Sequence, residues 1–301
     1  LGADPRIVTA TYQHGQVERL VTIVVATYRN WRDDRTVRLG AGLAYYGVFA
    51  VVPMLTLAAA LVQRVFRRSD VQAYLEERLE AILGESGRDL AAAVNDQLAE
   101  RSTEAGLGLL GAASLLFASS LVVLALQDAF NTIWKVPVIT GVRTTLLRRA
   151  RSLIFVVSAG ALLAAGLLVH TAAGVLGVIL PSGFAGIPGL IDLIELAGSW
   201  AVAAFGFTLL FQYMTPEALS WVRAFVVGAV TASAATVGTW MLTLYLNRIG
   251  GNSLTGVAGS ALLILMWIFY QAQIVLAGCQ LLKVLHTGPS APGSTPTATQ
   301  A

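Results

Sequence analysis

Charge is what this chain of 301 residues has least of: Asp, Glu, Lys and Arg together make up 12% of it. Soluble domains carry roughly 25%. Half that share leaves too little polar surface to cover a water-exposed globule of this size, so lipid is the expected solvent. The formal net charge of +3 is small and dispersed, whereas a nucleic-acid binder needs a clustered basic face. Cysteine occurs once, as Cys279 inside an apolar run. That excludes a disulfide within the chain and a multi-cysteine metal site, and a small apolar filler is the expected role. His14, His170 and His286 are far apart in sequence and fall in different layers of the expected topology. With no H-e-x-x-H run, converging ligands for a hydrolytic metal are not expected. A phosphate-cradling G-x-x-x-x-G-K-[ST] loop and a G-x-S-x-G nucleophile turn are missing too, so neither an ATP motor nor a serine hydrolase is expected. The chain opens on Leu1, as a piece of a longer product would, without a basic region, short apolar core and cleavage site. Insertion is therefore expected to be directed by the first true span.

What is present is apolar: 56% hydrophobic residues and a mean hydropathy of +0.70. The pattern predicts an all-α, polytopic membrane protein with six transmembrane helices, at about 39–63, 105–130, 153–180, 191–214, 222–246 and 256–282. Val17, Leu20, Val21, Val24, Tyr28 and Trp31 recur at helical spacing among Arg19, Arg29, Arg32, Arg35 and Arg38. This stretch is too short to span, so residues 1–38 are expected to hold an amphipathic helix lying in the cytoplasmic interface; a solvated helix packed on the bundle is the alternative. Residues 64–104 carry six arginines and nine acids. Their two apolar stripes (Val71, Tyr74, Leu75, Leu79, Ile82 and Leu83, then Leu90, Val94 and Leu98) straddle Gly84 and Gly87, predicting a water-facing helical hairpin outside the cytoplasm. The transmembrane domain thus covers 39–286, and the Pro-, Ser-, Thr- and Ala-rich tail 287–301 is expected to be disordered.

Sidedness follows from Lys and Arg. With the N-terminus inside, the inner segments hold thirteen and the outer ones seven, six of them in the acid-rich 64–104 stretch. The short loops contrast most: 131–152 has Lys135, Arg143, Arg148, Arg149 and Arg151, whereas 181–190 has none. Both termini are expected to be cytoplasmic. On the fifth span Ala224, Gly228, Ala232 and Thr236 recur every four residues, a small-residue face for close helix contact.

Polar side chains inside spans are costly and need a reason. Gln127, Asp128 and Asn131 end the second span. Asp128, near a helix C-terminus where the macrodipole disfavours it, calls for a partner such as Arg38 or Lys135. Tyr270, Gln273 and Gln280 share one face of the sixth span with Met266 and Ala277. Gln273 lies about nine residues from the cytoplasmic end, roughly 13 Å deep. Tyr45, Tyr46 and the helix-interrupting Pro53 come from the first span, Gln212 and Tyr213 from the fourth. All fall in the cytoplasmic half. Interhelical ties or a network fixing register would account for them; four spans placing polar groups at one depth also predict a shared, partly hydrated pocket.

Three blocks carry a resemblance. Ala41-Gly-Leu-Ala-Tyr-Tyr-Gly-Val-Phe-Ala-Val-Val-Pro53, Leu126-Gln-Asp-Ala-Phe-Asn-Thr-Ile-Trp134 and the sixth span from Leu265-Met-Trp-Ile-Phe-Tyr270 to Gly278 resemble, in order and spacing from about 20 to 285, the YihY/BrkB family. The resemblance implies a six-helix bacterial inner-membrane protein. Members once carried a ribonuclease label, which the missing metal ligands do not support, and some are tied to envelope lipid export or serum resistance. Ala50 stands where the family usually has Ser, and Gln280 where it usually has Glu, which weakens any role for a titrating carboxylate at 280. The expectation is a transporter or lipid translocator with a cytoplasm-facing polar pocket formed by Tyr45, Tyr46, Pro53, Gln127, Asp128, Asn131, Gln212, Tyr270, Gln273 and Gln280. Membrane lipids and a lipid or small anionic substrate are the expected partners, with no nucleic acid, cofactor, metal or catalytic residue. A non-transporting scaffold is the alternative, and a membrane-bound nuclease a distant third.

Overall fold

The computed structural model describes residues 5–103, 108–136, 158, 160–176, 190–217, 219–249 and 257–288. Among them every regular element is a helix. We number these α1 (Pro5–Asp33), α2 (Thr36–Val62), α3 (Arg68–Leu83), α4 (Glu85–Thr103) and α5 (Gly108–Trp134). After them come α6 (Gly160–Leu176), α7 (Leu190–Met214), α8 (Trp221–Ile249) and α9 (Val257–Thr287). Four stretches are long and apolar enough to cross a bilayer: Thr36–Val62, Leu190–Met214, Trp221–Tyr245 and Leu262–Thr287. The 27 residues of α5 would reach about 40 Å at 1.5 Å per residue. The third expected span, 153–180, falls partly outside the described residues, and what is described of it is the shorter apolar α6. The loop 137–157, the Pro181–Pro188 turn and the tail beyond 288 also lie outside. α1 begins earlier than the periodic stretch predicts and is continuous to Asp33. Pro53 sits inside α2, which stays one helix from Thr36 to Val62.

The helices alternate in direction, which gives the bundle two ends. At the near end α1, α5, α7 and α9 finish while α2 and α8 start. α3 and α4 pack on the far end. The near-end core joins Leu43 of α2, Val123, Phe130, Ile133 and Trp134 of α5, Leu210 and Phe211 of α7, Val227 of α8, and Leu276, Cys279 and Leu282 of α9. Phe130 and Phe211 stack with centroids 6.1 Å apart. Towards the far end, Val71 and Leu75 of α3 and Val94 and Leu98 of α4 close on Ala59 and Val62 of α2 and Leu167 of α6. Leu79, Leu83, Leu90 and Ala91 complete this packing against Leu55 of α2 and Trp267 of α9. Gly84, at φ +61°, ends α3, a conformation that costs glycine little.

In hydrocarbon, apolar burial alone does not pull helices together, and small residues that permit backbone contact do more of the sorting. A Cβ on Gly228 would lie 2.9 Å from the Ala204 carbonyl oxygen and 2.5 Å from Thr208 Oγ1. α7 and α8 therefore meet backbone to backbone there, flanked by buried Ala224 and Ala232. The outward faces are apolar: Phe205, Trp221, Phe225, Trp240, Met241 and Leu262 are all more than half exposed or nearly so, at 50–64%. At most 33% of any candidate span's apolar window is buried inside the bundle.

Candidate functional site

The near-end junction is built by two helix terminations. α5 ends in a Schellman arrangement: the Val136 N–H donates to the Asn131 carbonyl and the Lys135 N–H to that of Thr132, with Lys135 left-handed at φ 55°. That pattern satisfies two of the last carbonyls and leaves others free. The Ile133 carbonyl, one of the latter, accepts from Lys283 Nζ of α9. Between α1 and α2, Arg35 is also left-handed at φ 50°, and the turn it makes points the Asp34 carboxylate at α9. Gln280, fully buried, donates through Nε2 to Asp34 Oδ2 at 2.9 Å. The same nitrogen lies 3.4 Å from Thr36 Oγ1 and 3.5 Å from the Asn30 carbonyl. Lys283 Nζ is 3.7 Å from Asp34 Oδ2, and the two side chains are only 15% and 13% exposed. One turn beyond Lys283, His286 Nε2 faces Glu217 Oε2 at 2.9 Å and its ring lies 5.7 Å from that of Trp134. Asn30, Asp34, Thr36 and Lys283 were not among the sequence-predicted site residues. Lys283 alone carried a signal, its spacing of one turn from Gln280; Asn30, Asp34 and Thr36 carried none.

The ten predicted residues divide. Gln273 shares the junction side: its Nε2 reaches the Val37 carbonyl at 3.4 Å, over Gly40, where a Cβ would lie 1.9 Å from that nitrogen. Gln212 donates to the Leu219 carbonyl at 3.4 Å. Gln127 is buried, Asn131 half-buried and Asp128 exposed, the Asp128 carbonyl accepting from Thr132 Oγ1. Tyr45 and Tyr46 point outward, edge to face with each other, and Tyr45 also meets Phe49. Pro53 is half-buried within α2. Tyr270 lies against α8, where a Cβ on Gly238 would lie 1.7 Å from its hydroxyl. Among the described residues, seven buried polar atoms of near-end residues have no hydrogen-bond partner: Gln127 Nε2, Trp134 Nε1, Gln212 Oε1, Thr215 Oγ1, Gln273 Oε1, Gln280 Oε1 and His286 Nδ1. A dry, unpaired polar group costs about 1–3 kcal/mol, so this end of the bundle favours water or a polar ligand.

On the other side of α9, an open groove of about 460 Å³ runs between α1, α8 and α9. Val24, Tyr28, Trp31, Val230, Ala234, Ile274, Ala277 and Leu281 line it, and none of the ten predicted residues does. Tyr28 and Trp31 stack at 6.1 Å. Around this end Arg29, Arg32, Arg35, Arg38, Arg223 and Lys135 are exposed. Among the described residues no group of three His, Cys, Asp or Glu is placed to hold a metal.

Long apolar helices with outward apolar faces and polar groups gathered at helix ends define a polytopic α-helical membrane protein. More narrowly, the chain belongs to the family described as Virulence factor BrkB, whose model matches residues 27–299. It is similar to a UPF0761 membrane protein of Verminephrobacter eiseniae, with 28% identity over 253 residues, covering 82% of this chain and 58% of that protein. A UPF0761 membrane protein of Ralstonia nicotianae is 24% identical over 288 residues, covering 92% and 62%. One of Delftia acidovorans is 26% identical over 252 residues, covering 82% and 58%. The chain thus spans about three-fifths of the length of these relatives. No solved structure gives a significant match.

Proposed function

We propose that this protein is a non-enzymatic lipid translocator of the bacterial inner membrane, taking an amphiphile with an anionic head and an apolar tail. The observation that carries this is the pairing of two unlike surfaces across α9. Seven unpartnered buried polar atoms belong to near-end residues, Gln280 Oε1 of the junction among them, and the apolar groove opens beside them. Gln280 of the junction directly precedes Leu281 of the groove, so a head and a tail have adjoining places. The exposed arginines around the near end supply the charge an anionic head seeks. A wholly soluble small anion would leave the apolar groove without a role.

In this reading the bundle crosses the membrane six times, the near end and both termini are cytoplasmic, and α3 and α4 form a hairpin on the outer side. Arg-rich 131–152 against uncharged 181–189 supports that orientation. Impermeant thiol labelling of single cysteines at 140–150 and 181–189 in intact cells tests it, and labelling of 140–150 from outside would reverse the orientation. The function is tested by transbilayer movement of fluorescent anionic and zwitterionic phospholipids in proteoliposomes. Faster movement of the anionic lipid, reduced by Ala277→Phe in the groove, is expected; movement no faster than in empty liposomes refutes it. The scaffold reading draws on the Asp34–Gln280–Lys283 contacts, which tie α1, α2, α5 and α9 together, and predicts that no lipid moves.

A further inference from the structure

The far end holds a second ionisable cluster that the near-end reading does not use. From α3, Tyr74 and Glu77 reach His170 of α6, and Arg78 reaches Glu195 of α7. Arg78 pairs with Glu195 of α7, and its guanidinium carbon sits 5.5 Å over the Tyr74 ring. That ring is 5.7 Å from the imidazole of His170 on α6. His170 stands between two carboxylates: Nδ1 is 3.2 Å from Glu195 Oε1 and Nε2 is 3.5 Å from Glu77 Oε2. His170 and Glu195 are 35% and 24% exposed, and Asp192, a turn nearer the start of α7, is exposed.

Each ring nitrogen therefore faces a carboxylate oxygen. A neutral imidazole has one N–H and one lone pair, so it can donate to only one of the two acids and turns its lone pair toward the other. The imidazolium donates to both. Counting charge leads to the same place, because Arg78 and a protonated His170 balance Glu77 and Glu195, whereas the neutral ring leaves one excess negative charge among four groups.

Directly below lies a groove of about 310 Å³ between α6 and α7, lined by Leu162, Gly166, Ser199, Gly206 and Phe207, with Tyr74 of α3 as its roof. A Cβ on Gly166 would lie 2.3 Å from the Tyr74 hydroxyl oxygen, so α3 seats its tyrosine directly on the α6 backbone. Burial pushes the Tyr74 phenol above its ordinary 10.0, against the lowering pull of Arg78. Tyr74 thus stays neutral where histidine changes charge.

We propose that Glu77, His170 and Glu195 form a proton-binding site, and that its occupancy decides how firmly α3 closes the groove between α6 and α7. The proton comes from solvent and adds to the imidazole lone pair, with no other bond made or broken. Bound, it joins α3 to α6 through Glu77 and leaves α7 held by both Arg78 and His170. Released, it leaves the α3 to α7 link resting on Arg78 alone. The site does not depend on lipid being the cargo.

Spin labels on exposed Ala73 of α3 and Ala197 of α7, as Ala73→Cys and Ala197→Cys with Cys279→Ala, report the gap by pulsed electron resonance. The full chain would be studied in lipid nanodiscs at about pH 5.5 and about pH 8, either side of the range in which histidine changes charge. A narrow, shorter distance is expected at the lower pH and a longer, broader one at the higher. His170→Gln, and separately Glu77→Gln, should give one distribution at both pH values. Glu77→Gln alters a half-exposed surface residue and keeps the test alive should the His170 variant not fold. No pH response in the parent, or a response that persists in either variant, overturns the proposal.

Discussion

Lys283→Met removes the cation of the near-end junction while keeping the apolar stem. Asp34 then loses the ammonium 3.7 Å away, and the Ile133 carbonyl loses its donor. Breaking one partner from a buried pair costs about 3–5 kcal/mol when the remaining charge is fully stranded. Here Gln280 Nε2 still donates to Asp34 at 2.9 Å, and both side chains keep 13–15% exposure. A loss of about 2–3 kcal/mol is therefore expected. Asp34→Asn should cost about 2 kcal/mol, and the double variant less than the sum by about 1–2 kcal/mol, because the second change removes a charge the first has stranded. Reversible SDS unfolding in mixed micelles, followed by tryptophan fluorescence, measures all three. Neutral hydrogen bonds between membrane helices average only about 0.6 kcal/mol, so coupling above that level identifies a true ion pair. Effects that add to within about 0.5 kcal/mol would refute the argument that the two charges meet.

Gly228→Val forces side-chain atoms against the Ala204 carbonyl oxygen, 2.9 Å from the first of them. A loss of about 1–3 kcal/mol is expected, read in the same unfolding assay, whereas Gly42→Ala, which meets nothing within 4 Å, should change stability little. Gln280→Glu puts a second carboxylate where Gln280 Nε2 now sits 2.9 Å from Asp34. The pair resists double ionisation, so the folded state holds a proton the unfolded chain releases. Stability is kept at low pH and falls by about 1–3 kcal/mol as pH rises through the raised value; a variant equally stable at about pH 5 and about pH 7.5 would contradict this. Tyr74, its phenol raised above 10.0 by burial, should lag the exposed tyrosines in an ultraviolet titration. Its folded proton affinity exceeds the unfolded one, so its contribution to stability is complete below 10 and lost as pH rises above it. Arg78→Gln, removing a lowering influence, should delay the titration further.

The helices were legible because their signals are local. The stripe Val71, Leu75, Leu79 and Leu83 and its counterpart Leu90, Val94 and Leu98 are all buried, as period alone predicts. Ala224, Gly228 and Ala232 mark a real backbone contact, while Thr236, the fourth of that series, is exposed. What period could not supply was partnership. Gln280 read as an intramembrane polar group without an identifiable mate, because its mate depends on a left-handed Arg35 turning Asp34 inward. A positive φ at a non-glycine residue has no composition signature. The partner of Lys283 was hidden for a like reason: the carbonyl it reaches is left free by the Schellman turn that ends α5 at Lys135. The convergence of Glu195 with His170, 25 residues before it, and Arg78, 117 residues before it, is likewise a property of the packed bundle.

The two ionisable clusters together say how this chain solves a problem peculiar to its solvent. In hydrocarbon, one leucine-rich helix face packs on another about as well as on lipid, so apolar contact cannot fix which helices adjoin or in what register. Gly228 and Gly278 fix approach, since a Cβ on Gly278 would lie 2.5 Å from Thr231 Oγ1 and 2.7 Å from Phe211 Cζ. Charge fixes register. A shift of α9 by one residue would rotate Gln280 and Lys283 about 100° away from Asp34 and the Ile133 carbonyl and strand all four groups. The same reasoning applies at the far end, where Arg78 pairs with Glu195 and His170 stands between Glu77 and Glu195: a shift of α3 by one residue would rotate Glu77 and Arg78 about 100° away from their partners on α6 and α7.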